Sequence, residues 1–186
     1  MTKIRSIFLF ILFFIFIFNS NIFAAETSSP SAAPRVNVNY FLAYPGILPD
    51  NPFYFMKATR DRLVSMLIND TRKRAEFNLL TSDKRMFAGQ ILIEKGKTEE
   101  AVIAISKSNN YFHHALSAAQ KTAQEKKQTS DLYEKMLLSI SKHIELMDDY
   151  TSFIPKEQRD FYNSERSRMV DFQKIVQKEI NKNEKK

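Results

Sequence analysis

The residues of this chain best equipped for chemistry are cations. Lys73, Lys84 and Lys95 recur at intervals of eleven, and Arg74 and Arg85 repeat that interval one position along. Eleven residues return to nearly the same angle on a helix, so the five predict a basic stripe about 33 Å long. Such a stripe binds by charge and turns nothing over; it suits an anionic polymer, an anionic lipid surface or the acidic face of another protein. Glu76, Asp83 and Glu94 lie beside it and partly neutralise it.

Residue types that carry catalysis are sparse. His113 and His114 diverge by about 100° on a helix and do not easily ligate one ion, and His143 falls on a different helix. A turn at Gly96 levels Asp83 with His114, which predicts an ordinary interhelical Asp83–His114 hydrogen bond in preference to a metal or acid–base site. The chain holds no His-Glu-x-x-His and no Gly-x-Ser-x-Gly, and Gly46, Gly89 and Gly96 are too scattered to build a phosphate cradle. Most aromatics outside the N-terminal stretch fall at core spacing, so no base-stacking or sugar-stacking platform is expected. No catalytic, cofactor-binding or metal-ligating residue is assigned. With no cysteine, disulfides, thiolate chemistry and a lipidated N-terminal cysteine are excluded.

The elements that position the stripe follow a leader. Lys3 and Arg5 precede an unbroken apolar run from Ile7 to Phe18, then Asn19-Ser20-Asn21-Ile22-Phe23-Ala24-Ala25. The run is too short for the roughly 20 apolar residues of a membrane span, so residues 1–24 read as a signal peptide cleaved after Ala24. An uncleaved anchor is the alternative. Either predicts an extracytoplasmic protein: periplasmic, envelope-bound or secreted. Loss of the leader takes the net charge from +7 to +5. That excess lies between Lys57 and Lys97, where ten Lys and Arg face five acids. Nucleic acid is not an expected partner outside the cell.

Residues 25–39 read as a flexible Ser/Thr/Ala/Pro linker, and 40–182 as a single helical domain with a charged tail at 183–186. Val36, Val38 and Tyr40 predict extended chain or a short edge strand. The segment 44–57 contains Pro45, Pro49 and Pro52, which exclude regular helix, while Gly46 permits a turn. Its Ile47, Leu48, Phe53, Tyr54 and Phe55 are expected to dock on the domain as a structural lock, at about 1.5–3 kcal/mol for each side chain fully buried. An exposed recognition peptide is the weaker reading of the same residues.

After Pro52 the apolar spacing is three and four throughout, which predicts an all-α fold: an elongated antiparallel bundle of about five helices. The first helix, about 52–68, is opened by Pro52 with Asp50 or Asn51 as cap. The second runs from an Asp70 cap to Lys95 with Gly96 beyond it, and the third starts from a Thr98 cap. The fourth opens on an Asp131/Glu134 capping box and the fifth at Pro155, with Phe161, Met169, Phe172, Val176 and Ile180 on one face. The third carries the cleanest seam: Ala101, Ile105, Ser108, Phe112, Ala115, Ala119 and Thr122. The second has two apolar stripes, one with Ala75, Leu79, Met86 and Ile93 and one with Leu80, Phe87 and Ile91, which predicts the first and third helices as its neighbours.

YPGILPDNPFYFMK at 44–57, RDRL at 60–63, Arg74-Ala75-Glu76 and DKRMFAGQILIEKGKTEEAVIAISKS at 83–108 together resemble a bacterial family of exported helical proteins, domain of unknown function 5667. The resemblance covers about Tyr40 to Ala119. Thr71 departs from it, standing where the family tends to place proline. It implies compartment and topology and carries over no catalytic residue. The expected function is therefore a non-enzymatic helical interaction or scaffold module of the bacterial cell envelope, with another envelope protein or an anionic polymer or lipid surface as partner. A sensory or regulatory component of envelope stress signalling is the alternative, and a hydrolase with a dispersed site the remote one.

Overall fold

The computed structural model describes residues 38–183. The leader, its cleavage site, most of the linker and the last residues of the tail lie outside the described residues. Within them the chain is all-α: five antiparallel helices, no strand, and no helix long and apolar enough to cross a membrane. They are α1 (Tyr54–Leu67), α2 (Thr71–Glu94), α3 (Thr98–Gln124), α4 (Ser130–Tyr150) and α5 (Lys156–Asn183), with a single 3₁₀ turn, Thr151–Phe153, between the last two.

Two hairpins make the core. α2 packs on α3 and α4 on α5, and the pairs close on each other through α3 against α5 and α2 against α4. All seven residues of the α3 seam are buried. The small ones let α2 come close: Ser82 and Ser108 each donate to the other's backbone carbonyl at 2.9 and 2.8 Å. A Cβ added at Gly89 would stand 2.6 Å from Ile105 Cγ1, so glycine is what permits the approach there. The largest fully buried side chains include Tyr133, Tyr162, Phe112, Leu79 and Met86.

The helix ends follow their expected chemistry in part. Asp70 accepts from the Lys73 amide at 2.9 Å, and Gly96 sits at φ +73°, ending α2 with Lys97 N–H bonded to the Leu92 carbonyl. Thr98, in contrast, is the first helical residue and caps nothing; α3 begins without a side-chain cap. Asp131 does not box with Glu134: the helix already begins at Ser130, which places Asp131 in its first turn, where its carboxylate accepts from Arg72 of α2 at 2.5 Å. Pro52 lies in a turn and α1 starts two residues later, with Asn51 accepting from the Phe53 amide at 2.9 Å. On α5 Met169, Phe172 and Val176 are buried as expected, but Tyr162, whose hydroxyl bonds the Met147 carbonyl, turns inward in place of Phe161, which faces out.

Three larger expectations are corrected. The second neighbour of α2 is α4, and no helix packs closely along α1. The lock docks only in part: Leu48 and Tyr54 are half-buried, whereas Ile47, Phe53 and Phe55 are exposed, and α1 fully buries no residue. The reason lies in which face α1 turns inward. Tyr54, Lys57, Ala58, Asp61 and Ser65 form the shielded side, held where the Arg85 guanidinium meets the Tyr54 hydroxyl and the Lys57 ammonium bonds the Pro45 and Ile47 carbonyls. Burial lowers the Lys57 pKa, aided by the nearby Arg85 and Lys84 charges and opposed by Asp61. Finally, Val38–Leu42 forms no strand; it is an extended strap whose Val38 amide donates to Glu145 at 2.9 Å.

Candidate functional site

Two polar constellations stand out, and geometry separates their roles. The first centres on Asp83, which is buried on α2. Its Oδ1 accepts from the Ser139 hydroxyl at 2.6 Å and lies 3.0 Å from His143 Nε2, while Oδ2 accepts from the Tyr40 hydroxyl at 2.6 Å. The expected Asp83–His114 bond is absent: His114 is exposed, and α4 supplies the histidine instead because it flanks α2 on that side. Burial, reinforced by the Asp83 charge, raises the Tyr40 pKa far above the ordinary phenol range, so Tyr40 stays a donor.

Serine, histidine and aspartate in contact invite comparison with a catalytic triad, and the wiring differs. A serine nucleophile needs its proton taken by histidine, with the acid behind the histidine. Here Ser139 and His143 both bond to the acid, and both are fully buried. Among the described residues neither lines any of the larger cavities. The arrangement is an interhelical clamp that also ties down the strap. A similar clamp joins α3 to α5, where buried Glu165 accepts from Ser106 at 3.0 Å and Asn109 at 2.7 Å. Among the described residues no group of three or more His, Asp or Glu is placed to hold a metal ion.

The second constellation is open to solvent. A groove of about 900 Å³ runs between α1, α2 and α3. Arg74, Arg85, Lys107 and Lys121 line it together with His114, Tyr111, Asn78, Asn110 and Ser117, and no Asp or Glu does. α2 brings Arg74 and Arg85 to one wall because they are eleven apart. α3 brings Lys107, His114 and Lys121 to the other because they are seven apart, on the heptad face that also presents Asn110, Tyr111 and Ser117. Arg85 is the most constrained cation: its guanidinium lies 5.7 Å from the Tyr54 ring centroid and 5.0 Å from that of Tyr111. Its Nε is buried without a hydrogen-bond partner. Arg74 is braced by the Ile68 carbonyl at 2.7 Å.

The five stripe residues therefore part company. Arg74 and Arg85 enter the groove; Lys73, Lys84 and Lys95, one position back and about 100° around the helix, do not. Lys95 joins Lys97 on Asp50, at 3.5 and 2.8 Å, and the Lys97 bond leads in holding that carboxyl below its usual range. Lys107 and Lys121 escaped notice because α3 also carries Glu99 and Glu100, which hide a one-sided basic face from a count along the chain. The seven-residue spacing of 107, 114 and 121 was the available signal.

The family model described as domain of unknown function (DUF5667) matches residues 46–185, three quarters of the chain. The chain belongs to the DUF5667 family. Neither the curated proteins nor the solved structures contain a match to it. The DUF5667 match extends through all five helices, well past Ala119, and takes in every cation of the groove as well as Asp83, Ser139 and His143. Tyr40 and the rest of the strap lie ahead of it.

Proposed function

We propose that this protein is a non-enzymatic, exported interaction module of the cell envelope that holds an extended anionic polymer in the α1–α2–α3 groove. The observation that carries the reading is four cations and no acid lining one groove open to solvent. Arg74 and Arg85 are separated by about 16 Å along α2, and Lys107 and Lys121 by about 21 Å along α3. A single small anion spans a fraction of that length, so a chain of repeated charges uses the groove fully. Asn78, Asn110 and Tyr111 add neutral polar groups between the cations. The compartment rests on the leader sequence, Lys3 and Arg5 followed by Ile7–Phe18. The non-enzymatic reading rests on the wiring of Ser139, His143 and Asp83 away from nucleophilic catalysis.

Co-sedimentation with isolated envelope material, and with polyphosphate as a defined polyanion, tests it. Binding at low salt that weakens as ionic strength rises, and that is lost in the combined variant Arg74→Gln, Arg85→Gln, Lys107→Gln, Lys121→Gln, is the expected result. Binding unchanged in that variant refutes it.

A further inference from the structure

α1 is amphipathic with its apolar side facing water. Leu67 is 80% exposed, Met66 72%, Phe55 66%, Phe53 62% and Leu63 58%, with Val64 beside them. Scattered exposed apolar residues are ordinary, but these occupy one arc of one helix. At 100° per residue Leu63 is the centre of that arc. Arg62 lies roughly 100° to one side of it and Arg60 roughly 60° to the other. The helix's acid, Asp61, is on the shielded face and paired to Arg60 at 2.8 Å.

An apolar strip edged by Arg62, with Arg60 set between Leu67 and Val64, matches the interface of an anionic bilayer, where aliphatic and aromatic side chains enter the acyl boundary and a guanidinium group reaches back to phosphates. A second copy of the chain fits less well. The strip is about 21 Å long and about 10 Å wide, on the order of 200 Å² in footprint, against about 800 Å² per partner in a stable protein interface. The chain also carries an apolar N-terminal run, Ile7–Phe18, and where that run is retained as an anchor the intervening residues tether the domain to a membrane. We infer that the outward face of α1 lies in the surface of an anionic lipid bilayer, with Leu63 at its deepest point and Arg62 at the headgroups.

The groove lies along the other side of α1, against Tyr54, Ala58 and Ser65, and meets the strip at Met66, so the reporters are placed at positions that do not line the groove. The chain has no tryptophan, so an indole introduced at one position reports on that position alone. The full chain carrying Leu63→Trp is reconstituted in phosphatidylglycerol vesicles containing brominated lipid, beside Leu138→Trp, an exposed apolar position on α4. Thr59→Trp, on the same outward arc, is a second reporter. The inference expects blue-shifted emission quenched by bromolipid at 63 and 59 and not at 138. Adding Val64→Asp and Leu67→Asp should cut the quenching at 63 about tenfold while far-UV circular dichroism stays unchanged, and pure phosphatidylcholine should give weaker quenching. Quenching at 138 equal to that at 63 overturns the inference. So does an indole at 63 that stays water-exposed, or one shielded only by concentration-dependent self-association without lipid.

Discussion

Replacing Asp83 with alanine removes the acceptor on which three hydroxyl and ring donors converge, and the cost follows from what each donor does next. His143 is fully buried, and its Nε2 has no other partner within reach in the structure. A buried donor left unmade costs about 1–3 kcal/mol. Ser139 is equally buried, yet a helical serine can turn its hydroxyl to the carbonyl four residues back, which trims its share to the low end. Tyr40 is half-buried on the strap and regains water, so its share is small. The sum is about 3 kcal/mol, a large part of the roughly 5–15 kcal/mol typical of a domain. Urea unfolding followed at 222 nm is the assay; with m near 2 kcal/mol/M the midpoint should fall by about 1.5 M. Tyr40→Phe should cost only about 1 kcal/mol and make the strap more accessible to protease. A loss below about 0.5 kcal/mol for Asp83→Ala at unchanged m would refute the clamp.

Gly89→Ala should destabilise by about 1–2 kcal/mol despite alanine's better helix propensity, because its methyl collides with Ile105; adding Ile105→Ala should recover part of what the clash alone removes, read as a non-additive double-mutant cycle. Tyr133 has a buried hydroxyl with no hydrogen-bond partner, and its burial pushes the phenol pKa up to about 12 from 10.0. The folded state therefore holds this proton more tightly than the unfolded chain, and the resulting stability is intact below pH 10 and lost as pH climbs from 10 through 12. Tyr133→Phe should leave stability at pH 7 unchanged or slightly higher and flatten the alkaline limb of the stability curve; a loss of more than about 1 kcal/mol at pH 7 would show a partner for that hydroxyl. Glu165→Ala should cost about 1–2 kcal/mol: Asn109 loses the carboxylate but keeps its bond to the backbone carbonyl of residue 165, and half-buried Ser106 regains water; equal thermal midpoints for the two proteins would contradict it.

Helix count, the Asp70 and Gly96 ends and the α3 seam were legible because they depend on local chemistry and on a period carried by seven consecutive seam positions. The fate of α1 was not. Its apolar and polar residues both recur at three and four, and which face turns inward was decided by Arg85 and by two backbone carbonyls, none of which belongs to α1. The same limit hid the Asp83 clamp. Spacing across the Gly96 turn aligned Asp83 with His114, but α2 has a second neighbour, and the histidine that matters arrives from α4, sixty residues away. Of the basic stripe, eleven-residue spacing found Arg74 and Arg85 and grouped them with lysines that the helix points elsewhere. Lys107 and Lys121 complete the groove from α3, a pairing between helices that a reading of one helix at a time does not reveal.

The central claim is that the groove, and not basic charge in general, binds the anionic partner. Two variants of equal charge change decide it: Arg74→Gln, Arg85→Gln, Lys107→Gln in the groove, and Lys73→Gln, Lys84→Gln, Lys95→Gln outside it. Titrated with polyphosphate at low salt, the groove variant should lose affinity by at least tenfold more than the other. Equal losses in the two would contradict the account.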